Sequence, residues 1–85
     1  MVQKRQKKRK SVKINIELEL VQISPEEWRL DLDDRRYVIS RNTLISWNEY
    51  YLTCNRDGYL IMYAEKISFK KAVKLLSDDI KDSIR

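Results

Sequence analysis

Alternation of apolar and polar side chains dominates the first half of the chain. Val12, Ile14, Ile16, Leu18 and Leu20 occupy one parity, and polar residues occupy the other. Period-two alternation rich in β-branched residues is typical of a half-buried strand. The pattern predicts a first strand over 12–20. Its outer row would be polar.

Further strands are predicted downstream. Ser24-Pro25-Glu26-Glu27 indicates a turn, because proline fixes φ and donates no hydrogen bond. The alternating segments 28–32 and 36–40 flank the short turn 33–35, which predicts a hairpin. Residues 41–54 fit either a short helix or a loop followed by a strand over about 48–54, and we adopt the second. The segment 55–58 predicts a tight turn, and 59–64 predicts the returning strand.

The last segment changes period. Six apolar residues recur at helical spacing after Ser68, a favourable N-cap: Phe69, Ala72, Val73, Leu76, Ile80 and Ile84. A helix through about residue 83 is predicted. The expected fold is therefore α+β, a four- or five-stranded antiparallel β-meander with one C-terminal α-helix packed on one sheet face.

Charge divides the chain into two unequal parts. Residues 1–13 contain seven basic side chains and no acidic one, whereas 14–85 contain 11 basic and all 13 acidic side chains, a net of −2. Closely spaced like charges without apolar periodicity favour an extended, mobile segment. We expect a disordered basic arm over 1–11 and one small domain over 12–85.

The sequence offers little for catalysis. It lacks histidine, has one glycine, and has a single cysteine, Cys54. We therefore expect no enzyme activity, catalytic residue, metal site, cofactor or small-molecule substrate. The carboxylates at 31, 33 and 34 are better explained by turn chemistry than by Mg²⁺, and those at 78, 79 and 82 by a solvated helix face.

The basic residues predict binding to phosphates. Arm cations release counterions from nucleic acid without reading its sequence. A lysine ridge on the predicted helix is either a second contact surface or an ordinary solvated face. The candidate residues are Lys4, Arg5, Lys7, Lys8, Arg9, Lys10, Lys13, Lys70, Lys74 and Lys81. The alternative is that the arm serves solubility or nuclear localisation.

Four tyrosines are candidates for a protein interface. Tyr50 and Tyr51 are adjacent in a predicted strand, so they point to opposite faces, and Tyr59 and Tyr63 belong to a strand that is apolar on both parities. One helix covers only one face, so the uncovered aromatic residues predict a protein partner or a homodimer.

The run YYLTCNRDGYLIMYAEKISFKKAVKLL, residues 50–76, resembles the hairpin and helix of the arm-type DNA-binding domains of tyrosine recombinases. The resemblance rests on Asp57-Gly58 in the turn and on Phe69-Lys70-Lys71-Ala72 at the helix start. Those domains place a three-stranded sheet in the major groove, so the resemblance implies DNA binding. They carry basic sheet residues, whereas the hairpin here offers Arg56 between Tyr50 and Tyr63.

Together these features predict a small non-enzymatic nucleic-acid-binding or nucleic-acid-associated regulatory protein. The alternative is a protein-interaction module, such as an inhibitor, an adaptor or a subunit of a larger assembly. With a lone cysteine, no apolar span and no signal-peptide core, we expect an intracellular protein without membrane contact, cytoplasmic or, in a eukaryote, nuclear.

Overall fold

Six strands and one helix follow one another along the chain in the computed structural model, which describes residues 10–41 and 49–84. The elements are β1 (Ser11–Lys13), β2 (Glu19–Ser24), β3 (Glu27–Asp31), β4 (Arg36–Arg41), β5 (Tyr50–Arg56), β6 (Tyr59–Ile67) and α1 (Phe69–Ile84). The strands form one antiparallel sheet in the order β1-β2-β3-β4-β5-β6. The predicted α+β meander with a C-terminal helix is confirmed, with six strands instead of four or five.

The prediction of a single strand over 12–20 is wrong in one respect, because the chain forms a hairpin there. β1 pairs with β2 in the register Val12↔Leu20, and the chain turns between them. Asn15 makes the turn, since its Oδ1 accepts hydrogen bonds from the backbone N–H groups of Glu17 (2.8 Å) and Leu18 (2.9 Å). Ile16 at the turn is 91% exposed. Side-chain bonding to the local backbone is the usual reason that asparagine interrupts a strand.

Tight turns and a helix cap follow the sequence signals closely. Asp57 (φ 51°) and Gly58 (φ 86°) both adopt positive φ between β5 and β6, as a two-residue hairpin turn requires. Ser68 caps α1, because its Oγ accepts a hydrogen bond from the Lys71 N–H at 3.1 Å. The segment 41–54 fitted either a short helix or a loop followed by a strand. β5 begins at Tyr50 within it, and residues 42–48 lie outside the described residues.

One face of the sheet carries the core. Cross-strand partners share a face, and the pairs Tyr37↔Cys54 and Ile39↔Leu52 lie beneath α1. The helix contributes Ala72, Leu76 and Ile80, each at most 2% exposed. We call this the helix-side face. The opposite face, which α1 leaves uncovered, is called the open face.

Candidate interaction surfaces

Most of the predicted arm cations lie outside the described residues. Lys4, Arg5, Lys7, Lys8 and Arg9 belong to the segment 1–9, so their binding role stays a prediction. The described part of the arm is short. The Lys10 carbonyl accepts a hydrogen bond from the Gln22 N–H at 2.8 Å, and β1 begins at Ser11, one residue before the predicted domain boundary. The arm therefore leaves the body from the β1 edge of the sheet.

The helix lysines form an exposed ridge, as the periodicity predicts. Lys70, Lys74 and Lys81 lie on the outer side of α1, together with Lys71. Lys74 Nζ is 3.3 Å from Asp78 Oδ2, an exposed pair one helical turn apart that contributes little to stability. The ridge faces solvent on the side of α1 away from the sheet. It is an available cationic surface, and an open depression of about 550 Å³ lies along it, lined by residues that include Ser68, Val73 and Ser77.

Cations of the sheet are paired with carboxylates. These ion pairs are Lys13–Glu19 (4.0 Å), Arg29–Glu27 (4.0 Å), Arg36–Asp31 (2.6 Å), Arg35–Asp34 (3.0 Å) and Arg56–Asp34 (3.5 Å). The Arg35 guanidinium hydrogen-bonds Asp34 and lowers the pKa of that carboxyl. Arginines that are already paired have less to offer a phosphate. Most cations of the described sheet are thus already paired, and Lys66 on β6 is exposed and belongs to none of the described ion pairs.

An exposed apolar segment runs along β6, the edge strand opposite β1. Tyr59 is 74% exposed, Leu60 56%, Ile61 44% and Tyr63 50%. Leu60 pairs with Asn55 and Tyr63 with Thr53, and both partners belong to the open face. Tyr59 pairs with Arg56, which belongs to the helix-side parity. We call Leu60, Ile61 and Tyr63 with Tyr51 the β6 patch.

Within the β6 patch two tyrosines pack against each other. The rings of Tyr51 and Tyr63 lie 6.5 Å apart between centroids and 29° from parallel. The Tyr63 hydroxyl donates to Glu65 Oε1 at 2.9 Å, and this hydrogen bond raises the pKa of Tyr63. The prediction that one of Tyr50 and Tyr51 faces away from the helix is confirmed, and the residue is Tyr51.

Tyr50 is a correction to the predicted interface set. It is 9% exposed and lies on the helix-side face. Its ring contacts Phe69 (5.4 Å between centroids) and Trp28 (6.2 Å), which themselves are 4.7 Å apart. Aromatic rings packed at these distances bury large apolar areas and stabilise the core. Tyr50 therefore anchors the start of α1 to the sheet and is not available to a partner.

A polar network joins the helix to the sheet, and sequence reasoning missed it. The Tyr37 hydroxyl donates to Asp79 Oδ2 at 2.5 Å, and Arg35 Nη1 lies 3.5 Å from the same oxygen. Burial, and then the hydrogen bond to Asp79, raise the pKa of Tyr37 well above its ordinary value. The predicted solvated role is wrong for Asp79, which is half-buried beside the apolar stripe. At about 100° per residue, Asp79 lies 60° from Leu76 around the helix axis. This closeness to the apolar stripe was the sequence signal for its partial burial.

The described residues supply no evident catalytic or metal-binding arrangement. Among residues 10–41 and 49–84, no group of three potential acidic or sulfur ligands could hold a metal ion. Cys54 is buried, and burial raises the pKa of its thiol, which disfavours the reactive thiolate. In the same ranges, no helix is both long and apolar enough to cross a bilayer.

Comparisons with known proteins supply no family. The chain has no significant match among protein-family models, curated proteins or solved structures. Its functional assignment therefore depends on its surfaces alone: the cationic arm and ridge, and the apolar β6 patch.

Proposed function

We propose that this is a non-enzymatic, intracellular nucleic-acid-associated binding protein whose basic arm contacts phosphates. The observation that carries the proposal is the separation of charge. Six cations without an anion precede residue 11, whereas most cations of the described sheet, Lys13 included, are paired with carboxylates at 2.6–4.0 Å. The sheet therefore competes weakly for phosphates, and the arm is the dominant attractive feature.

The helix ridge is the second element of this proposal. Lys70 and Lys81 are exposed, and no carboxylate is paired with either of them in the described ion pairs. A ridge of lysines supplies point charges without base-reading geometry. Binding is then expected to be largely independent of sequence and strongly salt-dependent.

Salt titration of the full-length protein on duplex DNA and structured RNA tests this proposal. For about five phosphate contacts, the slope of log K against log[salt] should be roughly −3.5 to −4.5. Replacing Lys4, Arg5, Lys7, Lys8 and Arg9 by glutamine should remove most of that slope. Replacing Lys70, Lys74 and Lys81 by glutamine is the matched control and should remove less. Absence of binding at about 50 mM salt would refute the proposal.

The β6 patch favours a second candidate, a protein-interaction module whose arm serves solubility or localisation. Exposed contiguous apolar side chains on a soluble domain commonly mark an interface. A pull-down from nuclease-treated and untreated lysate separates the two. Capture that nuclease abolishes supports the nucleic-acid proposal, and a protein captured equally in both supports the module.

A further inference from the structure

The two edges of the sheet differ in what they expose. β1 is three residues long and carries Lys13, whereas β6 is nine residues long. In the described residues β5 is the only strand that pairs with β6, so its outer backbone groups face away from the sheet. Long exposed edges are usually guarded by charges, bulges or a covering segment, because they offer a template for another strand.

Two irregularities guard part of β6. The β5–β6 register shifts at Ile61, between Leu60 and Met62, and again before Ile67, where Lys66 adopts φ 58°. Between the shifts, Met62, Tyr63 and Ala64 pair regularly with β5. No charged residue occurs over 59–64. The middle of the edge, residues 62–64, is therefore regular and uncharged, and the exposed apolar residues Leu60 and Ile61 adjoin it.

We propose that β6 pairs edge to edge, in antiparallel orientation, with β6 of a second copy of this chain. The inference rests on the protein-interaction surface proposed above and names its partner. A suitable partner must be apolar and uncharged at its centre and must have a free strand edge. β6 itself meets these conditions.

Charge complementarity supports a second copy. Asp57 precedes the apolar segment, and Glu65 and Lys66 follow it. Antiparallel pairing brings Asp57 of one copy toward Lys66 of the other. A two-fold axis normal to the sheet also places α1 of both copies on the same side of the joined sheet.

An anionic partner is disfavoured on this surface. The Glu65 carboxylate accepts a hydrogen bond from the Tyr63 hydroxyl. The open-face arginines are already paired with carboxylates, Arg29 with Glu27 and Arg36 with Asp31. A nucleic-acid strand over the β6 patch would meet these carboxylates, and Lys66 is the single cation that β6 contributes. The arm remains the phosphate-binding element, and pairing through β6 leaves it at the far edge.

The exposed area predicts the strength of the association. With about 200 Å² for a fully exposed large side chain, the exposures of 56, 44 and 50% at Leu60, Ile61 and Tyr63 give about 300 Å². This is less than half of the roughly 800 Å² that each partner of a standard interface buries. The dimer is weak and concentration-dependent. With strands about 4.8 Å apart, its two β1 edges lie about 50 Å from each other.

Sedimentation velocity of the full chain without nucleic acid tests the proposal. Between about 10 µM and 1 mM the average mass should rise from monomer to dimer. Leu60→Lys should weaken dimerisation at least about tenfold, because it places a charge in the pairing segment. Ile16→Lys, the same charge at a 91% exposed apolar residue in the β1–β2 turn, is the matched control and should change nothing. Tyr63→Ala gives a second test if Leu60→Lys does not fold.

Three outcomes would overturn the pairing. The first is a protein that stays monomeric at the highest concentration. The second is dimerisation that Leu60→Lys and Ile16→Lys weaken equally. The third is a monomeric unmodified protein whose nucleic-acid binding is lost in Leu60→Lys. The last would assign the β6 patch to nucleic acid. A protein that dimerises through β6 but binds no nucleic acid supports the pairing and refutes the arm proposal, so the two failures are distinguishable.

Discussion

The two faces of the sheet are built from the same strands but held together by different interactions. The helix-side face joins fully buried residues such as Leu52 and Ile39 with the aromatic cluster under the start of α1. The open face has half-buried residues and exposed ion pairs, and its exposed apolar side chains concentrate at β6. Stability and interaction are thereby separated: changes on one face should act on folding, and changes on the other should act on binding.

The largest expected effect on stability comes from replacing one tyrosine by alanine on each face and comparing the two variants. Tyr50→Ala should destabilise the fold by about 3 kcal/mol, because it leaves a cavity between Trp28 and Phe69. Tyr63→Ala should cost less than about 1 kcal/mol, because that ring is half exposed. Urea unfolding followed by circular dichroism measures both free energies. Equal losses would show that the open face is part of the core.

The next effect tests the polar network under α1 against its exposed neighbour. Asp79→Ala should cost about 2 kcal/mol, because the buried Tyr37 hydroxyl loses its acceptor. Asp78→Ala removes a carboxylate one residue away that pairs with exposed Lys74, and it should cost at most about 0.5 kcal/mol. The same unfolding experiment compares them. A larger loss for Asp78→Ala would contradict the assignment of Asp79 to the interior.

The smallest effect is a dependence of stability on alkaline pH. The raised pKa of Tyr37 means that the folded state keeps its proton where the unfolded chain, with an ordinary value of 10.0, releases it. Stability is then full below about pH 10 and falls as pH rises further. Tyr37→Phe should flatten this decline. Tyr63→Phe should flatten it less, because Tyr63 is held by one exposed hydrogen bond. Urea midpoints at about pH 8 and 11 measure the slopes.

Much of the fold was predictable from local signals. Asp57-Gly58 specifies its own turn through positive φ, and Ser68 with the apolar stripe specifies α1. The break between β1 and β2 was not predictable from periodicity. Ile14 and Leu18 keep the same parity on both sides of the turn, so the alternation runs through it. Asn15, at a polar position of that alternation, was the signal for the turn.

The interaction surfaces were only partly predictable. Alternation showed that Tyr50 and Tyr51 must point apart, but it does not say which face a helix covers. That choice depends on contacts between α1 and the strands, which are distant in sequence. The same limit explains Asp79: a carboxylate beside an apolar stripe looks solvated until a buried partner such as Tyr37 is placed opposite it.

The order of the elements along the chain also determines how the protein emerges during synthesis. Each strand pairs with the one made just before it, so the sheet can grow one hairpin at a time. The helix that covers Ile39 and Leu52 is made after all six strands. Until α1 is complete, the nascent chain displays its most apolar surface to solvent and to chaperones. Slow docking of α1 onto the sheet would therefore prolong the interval in which this chain is most prone to aggregate.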